Sequence, residues 1–209
     1  MTWGTWLAVV SICALGAMSP GPSLAVVLRH TVSGGRRDGS VAALTHGLGV
    51  GLYALACISG LAFLLTASPT LFRAFQWAGA GYLAWLGVKG LLAKPGAVSG
   101  EDAAGSDRAG AARDGFLVVF LNPKIAVFFI ALFSQVIGPD TSLAARLGYA
   151  ATAMVIDAGW YLLVARVFSS ATLLPRLQAK AVWMERGFGV ILLLLAGRLV
   201  WETLASAGP

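Results

Sequence analysis

Two charged side chains stand isolated inside long apolar runs, and their signs decide what chemistry is open to them. Lys124 follows Asn122 and Pro123 in the run that begins near Phe116, and Asp157 lies between Ile156 and Ala158. A charge held within hydrocarbon is costly enough to need a partner or a solute. At comparable depth the two could form a structural ion pair that satisfies both charges. Alternatively they line a cavity whose two poles meet a zwitterion, the solute carboxylate at Lys124 and an amino or cationic group at Asp157. An aspartate in such a cavity can also exchange protons as the cavity opens to one face and then the other. Asn122, neutral and polar, could cap freed backbone or contact the solute.

Proline gives the second kind of chemistry. Ser19-Pro20-Gly21-Pro22 interrupts the apolar run that begins near Leu7, and Asn122-Pro123-Lys124 interrupts a run in the other half. Proline within a helix removes a backbone hydrogen bond and crowds the carbonyl four residues back. Lipid offers the freed groups no partner, so protein or a watered cavity must meet them. Two such breaks imply a cavity within a membrane, and therefore transport. A half-helix that restarts after Pro22 or Pro123 presents backbone N–H groups and a positive dipole end, which suits a carboxylate.

The composition agrees with a membrane setting. The 209 residues are 58% hydrophobic and only 11% charged, against about 25% charge in soluble domains, and the mean hydropathy is +0.81. The net charge of +6 is explained by loop topology and not by nucleic-acid binding. Cys13 and Cys57 lie in apolar runs without a CxxC spacing and read as small buried hydrophobes. No cofactor or metal motif is present in the sequence. Residues 1–28 read as a retained first span and not a cleaved leader, because the first residues carry no Lys or Arg.

The elements that must position these residues are six stretches near 5–28, 41–66, 71–92, 115–137, 144–169 and 187–205, each able to cross about 30 Å of hydrocarbon. The expected fold is an all-α polytopic membrane protein. Its six transmembrane helices form a 3+3 inverted repeat, with helices 1 and 4 broken by proline. The first three-helix repeat spans 1–92, a cytoplasmic linker 93–114 and the second repeat 115–209. Sliding the second half back by 101 positions sets Gly21-Pro22-Ser23-Leu24-Ala25-Val26 on Asn122-Pro123-Lys124-Ile125-Ala126-Val127, and Gly47 on Gly148. An odd number of helices per half makes the copies run oppositely, the layout in which sites form from broken helices near the midplane. One strain remains: counted from these helix ends, both breaks lie roughly 9–12 Å from the cytoplasmic side, where strict inversion would place them at opposite depths.

Of the 15 Lys and Arg, 11 fall on the connections after helices 1, 3 and 5, and only Arg73, Arg146 and Arg198 on the other side. The richer side is cytoplasmic by the positive-inside rule, so both termini face outward. Trp3, Trp6 and Trp201 suit one shared interface. His46, early in the second span, is expected to be a hydrogen-bonded interfacial residue in preference to a proton relay. Glycines 47, 49, 51, 79, 81 and 87 let helices approach closely and would allow a homodimer.

Ser19-Pro20-Gly21-Pro22, the glycine-arginine turn ending in Gly39, the stretch Gly79-Ala80-Gly81-Tyr82-Leu83-Ala84-Trp85-Leu86-Gly87 and Phe120-Leu121-Asn122-Pro123-Lys124 together resemble the LysE/RhtB family of amino-acid exporters. The resemblance runs over nearly the whole chain, in order. It implies a prokaryotic cytoplasmic (inner) membrane protein that exports amino acids or close derivatives, with the proton gradient as the driving force. It also places Pro20, Gly21, Pro22, Asn122, Pro123 and Lys124 at the transport site. Two other readings are open. A metal- or inorganic-ion exporter would want more carboxylates or histidines in the spans. A membrane thiol-disulfide carrier would want two cysteines able to meet, ideally one at each proline motif.

Overall fold

The computed structural model describes residues 3–93, 107–138, 140–169 and 174–205. The described residues form seven helices and no strand: α1 (Trp3–Ala17), α2 (Pro22–Ala67), α3 (Pro69–Leu91), α4 (Arg108–Leu121), α5 (Pro123–Ser134), α6 (Leu143–Val167) and α7 (Leu174–Ala205). Proline opens α2, α3 and α5, at the position where its missing N–H costs nothing.

The helix α2 is two limbs. Gly35 has φ 76° and ψ −177°, a conformation open almost only to glycine. Residues 31 and 39 would lie about 12 Å apart on a straight helix, yet a Cβ added to Gly39 would sit 3.0 Å from the Thr31 Cα. The chain therefore folds back at Gly35, and the glycine-arginine segment expected as an extended connection is helical on both sides of one residue.

The second limb, 36–67, packs against α6 and α4, while α3 packs against α7 and α5, and α1 against α6. Glycines set these crossings. A Cβ on Gly47 would lie 2.6 Å from the Ala158 Cβ, and one on Gly87 would lie 2.8 Å from the Gly189 carbonyl oxygen. The main core runs from Val9 through Ile58, Leu83, Phe133 and Tyr149 to Leu192 and Leu199. Large apolar side chains also face outward: Leu121 is 78% exposed, Leu194 68% and Trp201 74%. Apolar groups on both the inside and the outside are what a lipid solvent demands. Pro22–Ala67 and Leu143–Val167 are each apolar and long enough to cross a bilayer, and α4 with α5 pass together as a pair bent by 57°. The protein is a multi-pass membrane protein, and its regular structure among the described residues is helical throughout.

Side-chain bonds between helices fall into two groups, one without charge and one that involves arginine. Trp6 Nε1 donates to Thr152 Oγ1 at 3.2 Å and Gln76 Nε2 to the Ser134 carbonyl at 3.3 Å. In the other group, Arg29 and His30 meet Asp114, and Arg186 reaches the Ala93 carbonyl.

The helices beside the breaks are longer than their apolar stretches. Fifteen residues of α1 precede the first break and the limb 22–34 follows it; fourteen residues of α4 precede the second and twelve of α5 follow it. Each break thus lies near the middle of its pair of helical segments, which do not end where charge begins in the sequence. The helices continue past that point, carrying Arg29 and Asp114 with them. Within the segment expected as a linker, residues 94–106 fall outside the described residues. Asp107 caps α4 by accepting from the Gly110 N–H at 2.8 Å.

Candidate functional site

The two breaks touch. At the first, α1 ends at Ala17 and α2 restarts at Pro22, with the Ala25 N–H bonded to the Gly21 carbonyl at 3.0 Å. At the second, Asn122 ends α4 and starts α5, and its Oδ1 accepts from the Lys124 N–H at 3.1 Å. The same amide crosses to the first break: Asn122 Nδ2 donates to Ser23 Oγ at 3.3 Å. Lys124 Nζ donates to Ser19 Oγ and, at 3.2 Å, to the Pro20 carbonyl, and it lies 4.6 Å from the centre of the Phe188 ring. A cation thus satisfies a carbonyl freed by the other break, the partner that the missing helix bonds require.

Beneath these bonds lies a cavity of about 60 Å³, large enough to hold water. Ser19, Gly21, Ser23, Asn122 and Lys124 line one wall, and His46, Asp157 and Tyr161 the other. Asp157 and Lys124 form no direct ion pair. Asp157 Oδ2 instead bonds His46 Nδ1 at 2.6 Å, both residues being buried. The reason is the helix crossing: Gly47 lets α2 approach α6 at Ala158 closely enough to set the preceding His46 beside the preceding Asp157. Tyr161, fully buried, packs edge-on to His46 with ring centres 4.9 Å apart and shares a hydrogen bond with Ser23.

A second cavity of about 270 Å³ adjoins the first, sharing Gly21, Lys124 and Phe188 and adding Pro20, Pro22, Pro123, Lys89 and Glu185. All seven residues singled out from the sequence, Pro20, Gly21, Pro22, Asn122, Pro123, Lys124 and Asp157, therefore border one of these two connected spaces. Ser19, Ser23, Tyr161 and Phe188 were not legible in the sequence as site residues. His46 was read as interfacial, and it is buried against Asp157; the small residues Gly47 and Ala158 that follow each partner were the available signal. Cys13 lines the first cavity and Cys57 lies on α2, both as free thiols. Among the described residues no three His, Cys, Asp or Glu side chains converge as a metal site would require.

The LysE type translocator family profile matches residues 14–203. The chain belongs to the LysE family. Its relatives include a threonine efflux protein of Salmonella typhi, 30% identical over 202 residues that cover 90% of this chain and 96% of the relative. A homoserine/homoserine lactone efflux protein of the same organism is 31% identical over 207 residues, 95% of this chain and 97% of the relative. A leucine efflux protein of Klebsiella pneumoniae is 33% identical over 119 residues, 56% of each. No solved structure matches. This LysE-family chain is a transporter and not an enzyme.

Asp114 lies on the charged first half of α4, before the apolar run that begins at Phe116, with Arg29, His30 and Arg113 around it. Burial pushes its carboxyl up, but hydrogen bonds from Arg113 and His30 and the charges of Arg113 and Arg29 outweigh that and hold it below its ordinary 3.8.

Proposed function

We propose that the protein exports small amino acids from the cytoplasm across a prokaryotic inner membrane by alternating access, exchanging them for protons. One observation carries the reading: helix breaks from the two halves of the chain bond each other through Lys124 and Asn122 above a cavity that also holds Asp157. The substrate carboxylate goes to Lys124 and to the first-turn N–H groups of α2 and α5. Its ammonium goes to Asp157. A cavity of about 60 Å³ beside a larger one of about 270 Å³ suits a compact amino acid such as the threonine and homoserine of its relatives. A metal cation is disfavoured by the ammonium of Lys124 in the same cavity.

The architecture that supports this is a six-helix, 3+3 inverted repeat, 1–92 and 115–209 joined through 93–114. Its six spans are α1 with the first limb of α2, the second limb of α2, α3, α4 with α5, α6 and α7. The packing supports it: the 101-residue offset carries α1 onto the region of α4 and the second limb onto α6, and α1 packs on α6 as α4 packs on the second limb. Both termini face outward, and a homodimer is compatible with the glycine-rich faces.

The test is efflux of radiolabelled threonine, homoserine and leucine from preloaded vesicles, with and without a pH gradient. Gradient-dependent efflux of at least one of them is expected. Movement of divalent metal ions with no amino-acid efflux would reverse the assignment.

A further inference from the structure

We infer that His46 carries the exchanged proton, with Asp157 as its positioning residue; this rests on the amino-acid export reading above. His46 is 1% exposed, and while Nδ1 is held by Asp157, Nε2 is buried with no hydrogen-bond partner. A buried ring nitrogen left unpaired is costly, and this one belongs to a side chain that lines the solute cavity. A carboxylate on Nδ1 selects the tautomer in which Nδ1 carries the hydrogen, leaving the Nε2 lone pair to accept. Nε2 is therefore a proton acceptor, and its conjugate acid would be paired with Asp157 from the moment it forms.

The titratable and charged groups around His46 are few. From α6 come Asp157 and Tyr161, from α1 Cys13, and from α5, across the cavity, Lys124. From α4 the nearest residues to α2 at this level are Phe116 and Val119, neither of them ionisable. With His46 neutral, the cavity holds one negative and one positive side chain and is complementary to a zwitterion. Asp157 Oδ2 is engaged by the ring, so Oδ1 is the oxygen open to the substrate ammonium. With His46 protonated, the imidazolium compensates Asp157, the cavity carries one net positive charge, and the ammonium is repelled. Proton and amino acid thus exclude each other from one site, which is the condition for exchange and not co-transport. The proton binds Nε2 when the cavity faces outward and leaves from Nε2 to the cytoplasmic side; no bond of the solute changes. Each cycle moves one positive charge inward against a neutral zwitterion, so the exchange is electrogenic.

The experiment uses purified full-length protein in liposomes, with labelled threonine, homoserine and leucine as probes. Counterflow, with unlabelled amino acid inside and no pH gradient, reads substrate binding and the conformational cycle. Uptake into liposomes that are acidic inside reads proton coupling. For His46→Gln, which keeps a donor and an acceptor but takes up no proton, counterflow is expected to be slowed but still measurable, because the side chain lines the solute cavity. Gradient-driven accumulation should fall to the equilibrium level. Accumulation by His46→Gln equal to wild type would overturn the inference. Loss of counterflow in both His46→Gln and His46→Asn would also overturn it, because His46 would then serve substrate contact or the fold. Wild-type protein inactive in counterflow with all three probes would instead sink the amino-acid reading itself, and this inference with it.

Discussion

Lys124→Met removes the ammonium and keeps most of the apolar stem over Phe188. The lysine has two duties in the structure. It bonds Ser19 Oγ and the Pro20 carbonyl across the two breaks, and in the proposed cycle it meets the substrate carboxylate. A hydrogen bond to a charged group contributes about 1.5–3 kcal/mol, and about 1.4 kcal/mol is a factor of ten in affinity. Substrate should therefore bind roughly 10- to 150-fold more weakly. Weakening alone would not separate the duties, because a loosened break could do the same. The separating assay is inhibition of counterflow by an amino acid and by its amine analogue that lacks the carboxylate. Losing a carboxylate contact should cut the preference for the amino acid by the same 10- to 150-fold, while inhibition by the amine changes by less than about threefold. A defect confined to the scaffold would weaken both inhibitors equally. An unchanged preference in a folded Lys124→Met protein refutes the assignment of Lys124 to the carboxylate.

Gly47→Val should separate α2 from α6, since even a Cβ would lie 2.6 Å from that of Ala158; overpacking costs about 1–3 kcal/mol, seen as a lowered thermal midpoint together with lost transport. Gly35→Ala should destabilise by about 1–3 kcal/mol, because an L side chain is strained at φ 76°; thermal unfolding in detergent measures it, and an unchanged midpoint would contradict the fold-back at this residue. For Asp114 the sign follows from a folded pKa below the ordinary 3.8. The stabilisation is present above that ordinary value and is lost as pH falls through the lowered one. Asp114→Asn should thus melt below wild type at pH 7, by no more than about 1 kcal/mol for so exposed a cluster, and the gap should close under strong acid. A gap that widens on acidification would be inconsistent with the Arg29, His30 and Arg113 contacts.

Much of this protein was determined by the chain alone, because the signals are local costs. Proline lacks an N–H wherever it stands, so Pro20, Pro22 and Pro123 announce helix breaks without knowledge of neighbours. Apolar runs of membrane length, and the isolation of Lys124 and Asp157 within them, are likewise properties of the covalent sequence. Helix ends were less legible: charge at Arg29 and Asp114 looked like the end of a span, yet these residues are helical and pair with each other. The tertiary structure alone decided the partners. Lys124 and Asp157, of opposite sign and similar depth, were natural mates on paper. The close approach of α2 to α6 at Gly47 gives Asp157 to His46, and the contact of the two breaks gives Lys124 to Ser19 and Pro20. Which buried charge meets which depends on where helices cross, and no residue type by itself encodes a crossing.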